Sequence, residues 1–479
     1  MKRYERLAAE IAGYIDSGAM KPGDRLPSVR QICVSRGVSA STVFKAYYLL
    51  EARGIIRARE RSGYYVTSGP EPRAARGLAV PLPNAVKTGD VGDLPFKVIE
   101  SSRLRDIVPF GSAFPSPLLF PLARLGRAMV NVSQHVDPWR SVTDMSPGNA
   151  ELRQHIALRY VADGIHVHPD DLVITNGALD ALDLCLQAVT KPGDCVAVES
   201  PAFYGALQAL KRHGLRAVEV PTHPSEGIDV KALERIVAIH RPTACWIMPN
   251  FQNPLGSSMP DAKKQALVAL LADKGIPLIE DDVYGELYFG RQRPLPAKAF
   301  DRHGLVLHCS SFSKCLAPGY RIGWAAPGRY LQDVIRLKLG SSLGTSVPVQ
   351  AALAEYLNRS GFDKHLRQLR QTLLANRDTM LAAIARHLPA GTVVLRPEGG
   401  YFLWVQLPEG IDAIALHRRA LAAGVSIAPG PIFCPHHGFR HCIRLNYGHP
   451  WTPRAEAAME TLGQLIAAGL TGDVDHIAA

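Results

Sequence analysis

Ser311-Phe312-Ser313-Lys314-Cys315-Leu316-Ala317-Pro318-Gly319-Tyr320-Arg321 sets a lysine between two serine hydroxyls and an arginine. It comes just after the apolar run Leu305-Val306-Leu307. Four similar runs precede that one: Leu172-Val173-Ile174, Cys195-Val196-Ala197-Val198, Ala244-Cys245-Trp246-Ile247-Met248 and Pro277-Leu278-Ile279. Helical patterns separate them. Strands alternating with helices predict a mainly parallel sheet covered on both faces, with ligands at the strands' carboxyl ends. Those ends carry Asn176-Gly177, Glu199, Asn250, Glu280-Asp281-Asp282 and Ser310-Ser311, so chemistry is expected there.

The first 68 residues read differently. Leu7, Ile11 and Ile15 share one helical face, and Gly18 and Pro22 end that helix. Ser28-Val29-Arg30-Gln31 has the capping-box form and opens a second helix that stops at Gly37. Ser39 can cap a third, with Val43, Ala46, Tyr47 and Leu50 as its apolar stripe. Two short β-like runs, Ile55-Ile56-Arg57-Ala58 and Tyr64-Tyr65-Val66, flank a tip containing Arg61-Ser62-Gly63. Two helices about a tight turn, followed by a hairpin, predict a winged helix-turn-helix.

Charge supports the division. Residues 1–80 hold 14 Lys+Arg and 7 Asp+Glu, or +7 of the chain's +11, which points to a polyanionic partner for the head. A chain of 479 residues is too long for one core. The expected domains are a head over 1–68, a proline-rich linker over 69–106 and a body over 107–479. Within the body, a large domain spans about 140–345, and a small one spans about 346–479 plus the start of the region.

A pyridoxal phosphate site needs a lysine for the aldehyde, a carboxylate for the pyridine nitrogen, a flat side chain over the ring, donors for the 3′-oxygen and a cradle for the phosphate. Lys314, Ser311, Ser313 and Arg321 supply part of this set. The remainder follows in sequence order as Thr175-Asn176-Gly177-Ala178-Leu179, Glu199-Ser200-Pro201-Ala202-Phe203, Pro249-Asn250-Phe251-Gln252-Asn253-Pro254-Leu255-Gly256, Glu280-Asp281-Asp282-Val283-Tyr284 and Ile443-Arg444-Leu445-Asn446. This ordered set resembles the fold-type I family of pyridoxal phosphate enzymes, the aspartate aminotransferase superfamily.

The resemblance implies that Lys314 bonds the coenzyme and that Asp281 pairs with its ring nitrogen. It implies that Asn253 and Tyr284 meet the 3′-oxygen and that Phe203 stacks on the ring. Ser311, Ser313, Arg321 and the Ala178 and Leu179 N–H groups would hold the phosphate. Arg444 would grip an α-carboxylate, and the body would form a homodimer. One departure is Thr143, near the position where many relatives have a tyrosine that reaches the neighbouring subunit's phosphate.

Pro22-Gly23-Asp24-Arg25-Leu26-Pro27-Ser28-Val29-Arg30 resembles the signature of GntR-family repressors, as do Ser39-Ala40-Ser41-Thr42-Val43 and Arg61-Ser62-Gly63-Tyr64-Tyr65-Val66. That likeness implies double-stranded DNA contacts by Arg30, Ser39, Ser41 and Thr42, and backbone or minor-groove contacts by Lys45 and Arg61. A GntR-type head on a fold-type I body is similar in architecture to the MocR/PdxR regulators. The expected fold is therefore α/β: a winged helix-turn-helix, a large domain with a parallel or mixed sheet, and a smaller α+β domain. The expected function is DNA-binding regulation that senses pyridoxal phosphate or an amino compound joined to it. The alternative is a working aminotransferase with an appended head, because the catalytic set looks complete.

Eight scattered cysteines without a C-x-x-C pair, and no apolar run long enough to span a bilayer, suggest a reducing cytoplasm and no membrane partner. Cys434, His436, His437, His441 and Cys442 fit no standard zinc spacing, so no metal is expected.

Overall fold

The computed structural model describes residues 3–16, 20, 23–52, 55–59, 63–66, 94–101, 104–135, 137–359, 361–436 and 438–471. The chain divides into two compact units, Met1–Ala79 and Val80–Ala479.

In the first unit, helices α1 (Arg3–Asp16), α2 (Val29–Arg36) and α3 (Ala40–Ala52) precede the strands β1 (Ile56–Arg59) and β2 (Gly63–Val66). The Ser28 hydroxyl accepts from the Gln31 N–H at 3.3 Å, and Gln31 Oε1 accepts from the Ser28 N–H at 2.8 Å. This closes the capping box and satisfies two N–H groups that α2 leaves without helical partners. Gly37 ends α2 at φ 60°, a left-handed conformation that glycine adopts without a Cβ clash. Val43, Ala46, Tyr47 and Leu50 are buried along α3 and pack on Leu7, Ala8 and Ile11 of α1. Each large apolar side chain so buried contributes roughly 1.5–3 kcal/mol. The hairpin pairs Ile56 with Val66 in antiparallel register, and the Leu26 N–H donates to Tyr64 O at 2.8 Å. This is a winged helix-turn-helix.

The second unit is built on an eight-stranded sheet of β3 (Val173–Thr175), β4 (Cys195–Ser200), β5 (Arg216–His223), β6 (Gly227–Ile228), β7 (Ala244–Ile247), β8 (Leu278–Asp281), β9 (Val306–Ser311) and β10 (Gly323–Ala326). Its order is β3-β10-β9-β8-β7-β4-β5-β6. The five central strands β9, β8, β7, β4 and β5 are parallel, while β10 runs antiparallel to both β3 and β9. The sheet is thus mixed. Strand β10 has no counterpart in the sequence reading, because Gly323-Trp324-Ala325-Ala326 lacks β-branched residues. Gly323 is required there: a Cβ would lie 2.5 Å from the Gly177 carbonyl carbon and 2.7 Å from Ala178 N.

Apolar clusters cover the central sheet. One joins Val196, Val198 and Trp246 to Leu182, Leu186 and Leu210, and another joins Ala197, Cys245 and Leu278 to Leu233, Val237 and Leu267. A second sheet, in the order β11-β12-β14-β13, contains β11 (Val393–Val394), β12 (Phe402–Gln406), β13 (Ala428–Pro429) and β14 (Cys442–Asn446). The start of the body is tied to the surroundings of this smaller sheet. Val108 N donates to Gly424 O at 2.8 Å, and Val108 O accepts from Ser426 N at 3.0 Å.

One expectation needs correction. Leu94–Ser101, inside the segment read as linker, is a helix whose Val98 is buried with Tyr204, Leu255 and Trp404. Two turns are too short for a period to show, and Pro95 is tolerated in a helix's first turn.

Candidate functional site

The carboxyl ends of β3, β4, β7, β8 and β9 carry the side chains of interest. Asp281 closes β8 and is 1 % exposed. Its Oδ1 is buried without a hydrogen-bond partner, while its neighbours are tied elsewhere. Glu280 accepts from the Ala297 and Lys298 N–H groups. Asp282 accepts from Asn250 Nδ2 at 3.0 Å, Arg293 Nη2 at 2.8 Å and His308 Nε2 at 3.3 Å. Burial pushes the Asp281 carboxyl up to about 7, with the Asp282 charge adding and the Val283 N–H and Lys314 opposing. The three acids therefore do not act as one cluster. Only Asp281 keeps a free oxygen.

Lys314 follows β9. Its Nζ donates to Ala113 O at 3.0 Å and sits 4.2 Å from the centroid of the Phe114 ring. Burial and the charges of Arg444 and Arg321 bring its amine down to about 7, against the pull of Asp281. At neutral pH a substantial fraction of this amine is unprotonated and nucleophilic.

Around the lysine, Arg444 Nη1 donates to Asn253 Oδ1 at 3.0 Å, leaving the Asn253 amide N–H groups available to a ligand. Arg444 Nη2 donates to Gly111 O at 2.7 Å and to Ser112 O at 3.2 Å. Its guanidinium lies 4.1 Å from the Phe402 centroid, and its Nε is buried without a partner. Tyr284 is buried edge-on to Tyr401 and Phe402, and burial holds its phenol well above the usual range. The half-buried Phe203 ring packs 5.0 Å from Tyr204, where three apolar clusters meet.

Arg321 gathers the remaining set. Its Nη2 donates to Asn176 O at 2.9 Å, and its Nη1 is 3.5 Å from Ser313 Oγ. Ser311 Oγ accepts from the Ser313 N–H at 3.3 Å. The helix Ala178–Val189 starts beside the guanidinium, so the first N–H groups of that helix, including those of Ala178 and Leu179, lack helical acceptors. A Cβ on Gly177 would collide with the Arg321 guanidinium. A cation, a helix N-terminus and serine hydroxyls fit a phosphate. The free Asp281 oxygen fits a protonated ring nitrogen, and Lys314 fits an aldehyde. The residues present therefore suit pyridoxal phosphate.

The sequence reading missed several contributors. Tyr401, whose hydroxyl donates to Ala113 O at 3.1 Å, stands in no recognised motif. The Gly111, Ser112 and Ala113 carbonyls are backbone groups with no side-chain signal. Lys338, fully buried, donates to Asp180 Oδ2 at 2.6 Å, and that oxygen also accepts from the Asn176 N–H at 2.7 Å. Glu199, placed at a strand end from the sequence but given no role there, is buried with Oε1 unpartnered, and burial pushes its carboxyl up to about 8.

Cys434 Sγ contacts Glu219 Oε1 at 3.4 Å, Cys442 lies in an apolar cluster, and His437 falls outside the described residues. Among the described residues no group of His, Cys, Asp and Glu could hold a metal, and no helix is long and apolar enough to cross a membrane.

On the head, Ser39 Oγ lies 3.0 Å from Ser41 Oγ and 2.9 Å from Thr42 Oγ1 at the start of α3. Arg30, Ser41 and Lys45 are exposed; Arg61 lies outside the described residues. Arg25, which the sequence reading gave no role, bridges to Tyr65 of the hairpin.

Residues 137–459 match the model of the aminotransferase class I and II family, and residues 3–66 that of the gntR family of bacterial regulatory proteins. An uncharacterized HTH-type transcriptional regulator of Escherichia coli, YdcR, is 48% identical over 97% of this chain and 99% of its own. A 2-aminoadipate transaminase of Thermus thermophilus is 34% identical over 73% of this chain and 88% of its own. The solved LysN α-aminoadipate aminotransferase of Thermus thermophilus, in complex with N-(5′-phosphopyridoxyl)-L-leucine, superposes with a TM-score of 0.71 at 31% identity. The match covers 78% of this chain and 97% of that one.

Proposed function

This chain belongs to the class I and II aminotransferase family, in its HTH-type regulator branch with a gntR-family head, and we propose that its body senses an amino compound through pyridoxal phosphate and passes the signal to DNA. The observation that carries the sensor reading is the hold of the ligand-facing side chains on one backbone segment. Lys314 and Tyr401 both donate to Ala113 O, and Arg444 donates to Gly111 O and Ser112 O. Asn446 Nδ2 adds bonds to Ser112 O at 2.9 Å and Phe114 O at 2.8 Å.

Pyridoxal phosphate, when bound, supplies an electrophilic carbon and an electron-withdrawing ring. Asp281 would hold the proton on the ring nitrogen, Asn253 and Tyr284 would orient the 3′-oxygen, and Phe203 would lie against the ring. Ser311, Ser313, Arg321 and the Ala178 and Leu179 N–H groups would carry the phosphate. Lys314 would then no longer be free to hold Ala113. A carboxylate on the effector would compete for Arg444 with Gly111 and Ser112. A ligand making both contacts binds the segment-released state in preference, and such differential affinity is what shifts a population. In sequence order this segment precedes every other residue of the site and so lies closest to the head along the chain, which supports it as the route of the signal.

Double-stranded DNA is the partner of the head, through Arg30, Ser39, Ser41 and Thr42, with Lys45 and Arg61 at the backbone or minor groove. The body is proposed to be a homodimer. Leu118, Trp139, Val142 and Leu343 expose 83%, 74%, 60% and 61% of their surface, apolar side chains that a second subunit would cover. A cytoplasmic location accords with a DNA partner.

The complete amine, carboxylate and phosphate set also favours a second reading, a working aminotransferase. One experiment separates the two: DNA retention and amino-group transfer are followed on the same full-length preparation. Sequence-selective, salt-dependent DNA binding that changes with an amino acid supports the sensor. Multiple turnovers without selective DNA binding support the enzyme.

A further inference from the structure

The outward face of α3 is unexpectedly aromatic. Val43, Ala46, Tyr47 and Leu50 point into the core, and the exposed residues between them are Ser41, Phe44, Lys45 and Tyr48. Their i, i+3, i+4, i+7 spacing places them on one stripe. Phe44 is 42% and Tyr48 59% exposed, and their rings stack on each other at 6.4 Å with 26° between planes. A single exposed aromatic is ordinary; a stacked pair that shares its stripe with a serine and a lysine is a built surface.

We propose that the Phe44 ring, backed by Tyr48, reads thymine by packing on its 5-methyl group in the major groove. This rests on the DNA-binding reading given above. The thymine methyl is the one apolar group that base pairs display in that groove, and it distinguishes T·A from every other pair there. A helix with its side chains is about 10–12 Å across, which fits a groove about 12 Å wide. Charge selects DNA over a protein as occupant. Lys45 shares the stripe, exposed Arg30 lies on α2, and the first 80 residues carry 14 basic against 7 acidic side chains. Protein-binding patches are instead depleted of lysine at their centre.

The test uses full-length protein and a duplex that it selects from a random pool. Each thymine is then replaced singly by deoxyuridine, which removes only the methyl. At one or more positions wild-type affinity should fall about fourfold, the worth of one buried methyl. The same replacement should change Phe44→Ala binding less than twofold, so that ring and methyl are coupled. Phe44 is solvent-facing, so the variant should keep wild-type circular dichroism and melting.

Losses below twofold at every thymine, or equal losses in both proteins, overturn the inference while leaving the DNA reading intact. A protein that selects no sequence overturns both. A Phe44→Ala protein that changes its state of association while keeping its methyl preference also overturns it, and assigns the face to a protein contact.

Discussion

Arg444 donates to Asn253 Oδ1 at 3.0 Å, joining the residue proposed to meet an effector's carboxylate to the one proposed to meet the coenzyme's 3′-oxygen. The contact links β14 to the loop after β7, so anything that draws on Arg444 is felt at Asn253. Removing the guanidinium takes a charged donor from Asn253 and from the Gly111 and Ser112 carbonyls. Hydrogen bonds to charged groups are worth about 1.5–3 kcal/mol each. Arg444→Lys, which keeps the charge but loses the fork, should bind carboxylate-bearing amines about 10- to 100-fold more weakly. Decarboxylated amines should be affected much less. Titrating the coenzyme's absorbance with an amino acid and with its decarboxylated amine checks this.

Tyr401 tests the held segment. Tyr401→Phe removes one of the two donors to Ala113 O and leaves the ring in place against Tyr284. Loss of a bond worth about 1 kcal/mol should ease release of the segment, so that an amino effector binds about fivefold more tightly. Unchanged or weaker binding argues against the segment as a restraint.

Lys338 and Asp180 test the phosphate turn. Lys338 neutralises a carboxylate that also holds the Asn176 N–H. Lys338→Met leaves Asp180 unpaired next to the proposed phosphate site, and breaking such a pair costs about 3 kcal/mol. The variant should melt earlier and hold pyridoxal phosphate more weakly. Lys338→Met/Asp180→Asn, which removes both charges, should recover much of the loss.

The pH dependence of the coenzyme-free protein has a definite sign. Burial raises the Asp281 carboxyl to about 7, above its value in an unfolded chain. The folded state therefore holds a proton that the unfolded state has lost, and this group's stability is lost as pH rises from about 4 through 7. The Lys314 amine, lowered to about 7, works oppositely: its penalty is removed as pH rises from about 7 to 10. Between pH 5 and 7, Asp281→Asn should flatten the fall of melting temperature, measured by calorimetry.

Much of this architecture is written locally. Ser28, Gln31 and Gly37 act on backbone groups within a few residues, so the caps of α2 are readable from adjacent letters. Apolar runs placed β4, β7, β8 and β9 but not β5, and polar residues at their ends placed Asp281 and Lys314 at one edge of the sheet. Other features depend on partners far along the chain. Lys338 and Asp180 lie 158 residues apart, and Tyr401 and Ala113 lie 288 apart, with no pattern connecting them. Strand β10 was illegible because it lacks β-branched residues and its Gly323 answers to the close approach of Gly177 and Ala178. The helix Leu94–Ser101 was illegible because its two turns bury only Pro95 and Val98 among the described side chains.

Chemistry at Lys314 is proposed to govern the head. Its most direct test is the affinity for selected duplex DNA at fixed salt, measured with pyridoxal phosphate and increasing amino acid, for wild-type and Lys314→Ala protein. Wild-type affinity should change as the amino acid saturates, and Lys314→Ala should bind the same DNA without responding. Equal responses in both proteins, or no response in the wild type, would contradict it.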